Sequence, residues 1–218
     1  DTLLTNGEDD YLDGGTGDDT LNAGDGTNIL FGKDGADSLI SGSGNDTLDG
    51  GDGTDTLNSG KGDDILFGGL GDDILDGDDG SDTVDFSSVF EDLLVNLNSQ
   101  DAASAVEISV NQGTDYFLNI ENATGGSGND TIIGTSAINT LIGGAGNDFL
   151  DGGGANGSSI ANYDYLNGGS GIDSISFETA DQSTYIDLGS SDAVNTKSSG
   201  WIKFELIENI EGSNHSDT

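Results

Sequence analysis

Nine acidic or amide side chains stand at a constant interval of nine residues near the start of the chain: Asp10, Asp19, Asn28, Asp37, Asp46, Asp55, Asp64, Asp73 and Asp82. Two residues after each comes an apolar one (Leu12, Leu21, Leu30, Leu39, Leu48, Leu57, Leu66, Leu75, Val84). Two residues before each comes a glycine (Gly17, Gly26, Gly35, Gly44, Gly53, Gly62, Gly71, Gly80), except that Glu8 holds this place in the first copy. Asp and Asn oxygens together with glycine carbonyls make a hard, oxygen-only donor set, which suits calcium rather than zinc or copper. A single Asp in a glycine-rich turn is ordinarily a solvated turn residue. Nine of them in one phase from Thr5 to Asp85 point instead to coordination.

The elements that position these oxygens follow from the same repeat. Its first six residues suit a turn, because glycine reaches positive φ without a Cβ penalty. Its last three, such as Thr20-Leu21-Asn22, suit a short strand whose central leucine points inward and whose neighbours point outward. Two repeats then form one coil with a turn at each edge. A thin leucine ladder lies between two parallel sheets, at roughly 1.5–3 kcal/mol per buried leucine. Strands about 4.8 Å apart stack equivalent turns closely enough for two of them to share an ion. One edge carries Asp10, Asn28, Asp46, Asp64 and Asp82, and the other carries Asp19, Asp37, Asp55 and Asp73. Asn28 lacks a charge and Glu8 replaces a glycine, so weak or missing sites are expected at the start of the first edge. Full sites are expected at Asp46–Asp64 and Asp64–Asp82, and throughout the second edge.

The full pattern is G-G-x-G-x-D-x-U-x, clearest in GGTGDDTLN (Gly14 to Asn22) and GGLGDDILD (Gly68 to Asp76). It resembles the RTX repeats of Gram-negative exoproteins. The resemblance implies an all-β fold, a right-handed parallel β-roll or β-solenoid binding multiple calcium ions. It further implies that turn carbonyls around Gly42, Gly44, Gly51, Gly53, Gly60, Gly62, Gly69 and Gly71 complete the coordination shells. It also implies an extracellular or cell-surface protein, exported by type I secretion with a signal downstream of this chain.

Composition agrees that something must neutralise the acid. The chain of 218 residues has 42 Asp and Glu, four lysines and no arginine, for a formal charge of −38. Only 32% of residues are apolar and 38 are glycine. Such averages border on the disordered class, where self-repulsion and too little apolar surface oppose folding. The missing basic footprint argues against nucleic acid and anionic membranes. Without cysteine, neither disulfides nor thiolate metal sites are available. No apolar stretch approaches the roughly 20 residues of a membrane span. No signal peptide is visible and the chain opens on Asp1, so it reads as an internal fragment of a larger protein.

The chain divides into a first roll block (1–85), an apolar β insert (86–124), a second roll block (125–176), a second β insert (177–211) and the start of a further repeat (212–218). The first insert is richer in apolar residues, and alternation marks Leu93-Val95-Leu97, Val106-Ile108-Val110 and Tyr116-Leu118-Ile120 as strands. The second block resumes with GGSGNDTII at Gly125, and Asp130, Asp148 and Asp173 share one edge cleanly, so fewer ions are expected there. The two inserts echo one another, Val95-Asn96-Leu97 with Ile186-Asp187-Leu188 and Ile120-Glu121-Asn122 with Ile207-Glu208-Asn209. They suit wider coils that continue the roll better than caps over its ends.

A catalytic role is not expected. With His215 as the lone histidine and no cysteine, neither a Ser/His nor a Cys/His constellation can be assembled. The leading role is a calcium-folded rigid spacer or scaffold in a large secreted or cell-surface protein of adhesin or surface-layer type. The alternative is an accessory module beside a secreted protease, lipase, polysaccharide epimerase or toxin. The partners expected are calcium ions, flanking domains or further repeats of the same parent, and self-association or a cell-surface glycan.

Overall fold

The computed structural model describes residues 1–98, 106–109, 113–153, 163–176, 194–196 and 200–211. Every regular element among them is a β-strand, and no helix is long and apolar enough to cross a membrane. The chain separates into two compact units, Asp1–Asp85 with Ser99–Ile120 and Phe86–Asn98 with Glu121–Thr218.

In the first unit, alternate repeats feed alternate sheets. One sheet runs Thr2–Leu4, Thr20–Gly24, Ser38–Ser41, Thr56–Asn58, Ile74–Asp76 and Gly113–Leu118, all parallel, with Val106–Ser109 antiparallel at its end. The other runs Tyr11–Thr16, Ile29–Asp34, Thr47–Asp52, Ile65–Leu70 and Thr83–Asp85. Register is in phase with the repeat: Leu21, Leu39, Leu57 and Leu75 stack in line and end on Phe117. Leu12, Leu30, Leu48, Leu66 and Val84 do the same opposite. These side chains are at most 4% exposed, because the two-residue strand period sends the central apolar residue of each triplet inward. Its neighbours face out, so Ile29, Ile65 and Ile74 are about two-fifths exposed.

The second unit repeats the plan. Leu94–Asn96, Thr131–Ile133, Phe149–Asp151, Ser174–Ser176 and Asn209–Glu211 form one parallel sheet. Asn122–Thr124, Thr140–Ala145, Tyr163–Ser170 and Gly200–Glu205 form the other, with Val194–Thr196 antiparallel at its edge. Val95, Ile132, Leu150 and Ile175 make one buried ladder, and Ala123, Leu141 and Leu166 the facing one.

Of the inserts, Leu94–Asn96, Gly113–Leu118, Asn122–Thr124, Gly200–Glu205 and Asn209–Glu211 stack as parallel rungs in register with the repeats, while Val106–Ser109 and Val194–Thr196 turn back antiparallel. The strand expected around Tyr116 and Leu118 is present, with its buried face on the other set of residues. In Gly113–Leu118 the buried residue is Phe117, while Leu118 is 37% exposed and Tyr116 only half-buried. Alternation of Tyr116 and Leu118 marks the strand but not its buried face, because a one-residue shift exchanges the two faces of a strand. Val110 lies outside the described residues, as do 177–190 and the whole of 212–218.

Candidate metal centres

Each turn begins where a strand ends, and the sixth residue of the repeat sits just before the next strand, beneath the turn. Backbone hydrogen bonds lock this place. Ile74 N–H donates to the Asp55 carbonyl at 2.9 Å, and Thr56 N–H to that of Asp37 at 2.9 Å. The sixth-position side chains are consequently buried: Asp19, Asp37, Asp46, Asp55, Asp64, Asp73 and Asp82 are no more than 3% exposed, and Asp10 is half-buried.

One oxygen of each carboxylate from Asp37 to Asp82 accepts a backbone N–H within the fold. On the second edge, Asp37 Oδ1 accepts the Asp19 N–H at 2.7 Å, Asp55 that of Asp37 at 2.8 Å, and Asp73 that of Asp55 at 2.8 Å. On the first edge, Asn28, Asp46, Asp64 and Asp82 accept from Asp10, Asn28, Asp46 and Asp64 at 2.7–3.0 Å. The other oxygen, Oδ2, of Asp10, Asp19, Asp37, Asp46, Asp55, Asp64 and Asp73 is buried with no hydrogen-bond partner. A buried, unsatisfied carboxylate oxygen is costly, and a charged one more so. A cation is the partner that repairs this, and calcium takes such oxygens.

Carbonyls gather around these oxygens. The place a Cβ would occupy on Gly50 is 2.5 Å from Asp55 Oδ2 and 2.6 Å from the carbonyl oxygen of Gly68, one coil further on. A side chain there would fill the cradle. Gly53 has φ +153°, and a Cβ on it would collide with the Gly35 carbonyl. Gly71 packs in the same way on Gly53, Gly69 on Gly51, Gly62 on Gly44, Gly60 on Gly42, and Gly42 itself on Gly24. The structure thus brings the eight sequence-selected glycines into stacks of closely spaced backbone carbonyls, while the first-position glycines Gly14, Gly32, Gly50 and Gly68 lie against the carboxylate Oδ2 atoms. Among the described residues no three acidic or histidine side chains converge. A cation here would draw most of its shell from the backbone, with one or two carboxylates supplying charge.

Burial raises five of these carboxyls. Desolvation pushes Asp55 up to about 7 and Asp73 to about 6, with neighbouring carboxylates adding to the rise at both. Asp37, Asp46 and Asp64 are raised for the same first cause. At Asp46 and Asp64 the nearby Ser41 and Ser59 hydroxyls pull the other way, although those hydroxyls donate to the carbonyls of Ser59 (2.6 Å) and Gly77 (3.1 Å) rather than to Oδ2.

Asn28 solves the same problem differently. Its Nδ2 donates to the carbonyls of Gly24 at 3.0 Å and Gly26 at 3.3 Å. An N–H points where a cation would otherwise collect turn oxygens.

In the second unit, Leu93, Asp130 and Asp148 donate their N–H groups to Asp130, Asp148 and Asp173 at 2.8–3.0 Å. The Oδ2 atoms of Asp148 and Asp173 are buried without partners, and burial lifts Asp148 to about 6. Asp130 departs from this: its Oδ2 accepts the Gly126 N–H at 2.8 Å. Glu208, from the end of the second insert, continues the column by accepting the Asp173 N–H at 2.8 Å.

Sequence reading missed three features. Asp164, in phase with the repeat but not read as a ligand, accepts the Asn139 N–H at 2.9 Å and has an unpartnered buried Oδ2 and a carboxyl pushed up to about 7 by burial. Asp115, in the first insert, shares both properties, at about 8. The fifth repeat position forms a second ladder of opposite sense, in which Asp18, Asn45, Asp63 and Asp72 accept N–H groups from the following coil at 2.9–3.2 Å. The signal for that ladder was present in the Asp and Asn that fill position five in five of the nine repeats, Asp9, Asp18, Asn45, Asp63 and Asp72.

Comparison with known proteins agrees with this geometry. The RTX calcium-binding nonapeptide repeat matches in four overlapping copies, residues 1–30, 22–57, 31–66 and 49–84. The Peptidase M10 serralysin C terminal family matches residues 73–210. Serralysins of Photorhabdus laumondii subsp. laumondii and Photorhabdus luminescens are each 42% identical over 57 residues, which is 26% of this chain and 12% of either relative.

Proposed function

The chain belongs to the RTX calcium-binding nonapeptide-repeat family, with a serralysin-type C-terminal region over most of its length, and on that footing we propose that it is a non-catalytic module that folds when calcium binds after export. The observation that carries this reading is the row of buried carboxylate oxygens without partners inside a chain of formal charge −38. The residues that hold the ions are Asp10, Asp19, Asp37, Asp46, Asp55, Asp64, Asp73 and Asp82 in the first unit. Asp130, Asp148 and Asp173 serve in the second. Carbonyls around Gly42, Gly44, Gly51, Gly53, Gly60, Gly62, Gly69 and Gly71 complete the shells.

Bound calcium supplies positive charge to oxygens that the fold has already desolvated. At millimolar calcium and module-type affinities each site adds ~1.4–2.7 kcal/mol by mass action, and at submicromolar calcium almost nothing. The chain therefore stays expanded where calcium is scarce and forms its roll outside the cell, which suits export of an unfolded passenger. Circular dichroism of the chain in calcium and in excess EGTA tests this. A β signal that survives chelation contradicts it.

Since the chain spans 12% of the serralysins it matches, the parent's activity belongs to what is proposed. The family match over residues 73–210 supports an accessory module of a secreted peptidase over the adhesin-type spacer. Coding sequence adjoining the repeats discriminates: a metallopeptidase domain supports the first, tandem repeat blocks the second.

A further inference from the structure

We propose that the first insert contributes a calcium site of its own, held between the turn of Asp73 and the half-repeat Gly113–Leu118. This rests on the reading that the roll binds calcium, and it adds a site beyond the uninterrupted nonapeptides.

Residues Gly113-Thr114-Asp115-Tyr116-Phe117-Leu118 reproduce the second half of the repeat, G-x-D-x-U-x, 42 residues after Gly71-Asp72-Asp73 rather than 18. The backbone honours that equivalence. Tyr116 N–H donates to the Asp73 carbonyl at 2.8 Å, as Ile74 does to Asp55 at 2.9 Å. Asp115 Oδ1 accepts the Asp73 N–H at 3.0 Å, as Asp73 does from Asp55 at 2.8 Å. Thr114 N–H donates to Asp72 Oδ1 at 2.9 Å, joining the ladder of the fifth position. Gly113 has φ +94° and packs on the Gly71 carbonyl, as Gly71 does on that of Gly53.

Two carboxylate oxygens then come together. The place a Cβ would take on Gly68 lies 2.7 Å from Asp73 Oδ2 and 3.3 Å from Asp115 Oδ2. Both oxygens are buried without partners, in residues 0% and 1% exposed. Two such oxygens held away from water need a cation or a proton to offset their charge, and at millimolar calcium the oxygen-only donor set with adjacent turn carbonyls favours calcium. Bound there, calcium clamps the returning strand of the insert to the last rung of the first block. It also extends the second edge by one ion.

Asp115→Asn is the direct test. An amide can still accept the Asp73 N–H, just as Asn28 accepts that of Asp10, so the fold is retained. Native mass spectrometry of the whole chain at millimolar calcium should show the wild type carrying several ions and the variant one fewer. An unchanged ion count in a variant whose parent binds several overturns this site alone, and a proton shared by the two carboxyls then holds them together. A wild type that binds no calcium overturns this site and the general reading with it. Tyr116→Phe offers a second route that leaves packing intact. With terbium in place of calcium, losing the tyrosine beside Asp115 should lower tyrosine-sensitised emission, and unchanged emission counts against the site.

Discussion

Along one edge of the first unit, Asp19, Asp37, Asp55, Asp73 and Asp115 form a column of carboxylates over turns that begin with Gly14, Gly32, Gly50 and Gly68. Along the other, Asn28 interrupts the column, and Thr5, Ala23, Ser41 and Ser59 stand at the corresponding first positions. The hydroxyls of Thr5, Ser41 and Ser59 donate to the first-position carbonyls of the next coil, at 2.6–3.1 Å. The same backbone is thus stabilised by two chemistries. Both edges leave carboxylate Oδ2 atoms for a cation, but the first also satisfies part of its turn carbonyls with the protein's own side-chain N–H and O–H groups. A repeat protein of this kind can set how much of its stability depends on calcium, turn by turn, without altering its coil.

The largest effect separates the folded and unfolded states themselves. Chelating calcium removes the support of every carboxylate turn at once, and the β signal should collapse cooperatively. Next comes a single residue of the glycine-lined edge. Asp55→Asn keeps an acceptor for the Asp37 N–H but removes a carboxylate from the middle of the column. It should cost ~1.4–2.7 kcal/mol at millimolar calcium for each ion lost, and nothing comparable in EGTA. Urea melts at both calcium levels read this difference.

The converse exchange, Asn28→Asp, removes the amide that donates to Gly24 and Gly26 and restores a carboxylate. One additional ion by isothermal titration, with lower stability in its absence, is the expected outcome. An unchanged ion number shows that the amide was not standing in for a cation.

Proton competition is a smaller effect. In the ion-free fold Asp73 titrates at about 6 and Asp55 at about 7, whereas in the unfolded chain both return to about 3.9. The ion-free fold therefore binds more protons than the unfolded chain between about pH 4 and 7, and its stability falls as pH rises through that window. In EGTA the β signal should be stronger near pH 5 than near pH 8. Calcium binding should move oppositely, weakening toward pH 5 as protons occupy the same oxygens. The smallest expected change is Ser59→Gly, which frees the Gly77 carbonyl from a hydroxyl and should tighten the neighbouring site a few-fold in a calcium titration.

Most of this was legible in the sequence, because one nine-residue period encodes both the apolar ladder and the carboxylate column. Leu21, Leu39 and Leu57 bury for the same reason that Asp19, Asp37 and Asp55 do. The neutral turn at Asn28 was visible as a missing charge, but what its amide does instead depends on turn geometry. Asp115 was hidden by its 42-residue separation from Asp73, which takes it out of the nine-residue period. The hydroxyls of Ser41 and Ser59 were unreadable in advance, since a serine in a turn ordinarily faces water and only the stacked coil supplies the carbonyl beneath it.

The contrast between the edges is tested most directly by a calcium-bound crystal structure of the chain. It should hold ions between the successive turns of Asp37, Asp55 and Asp73 and none coordinated by Asn28. Empty turns along the Asp37–Asp55–Asp73 edge, or an ion held by the Asn28 side chain, would contradict the account.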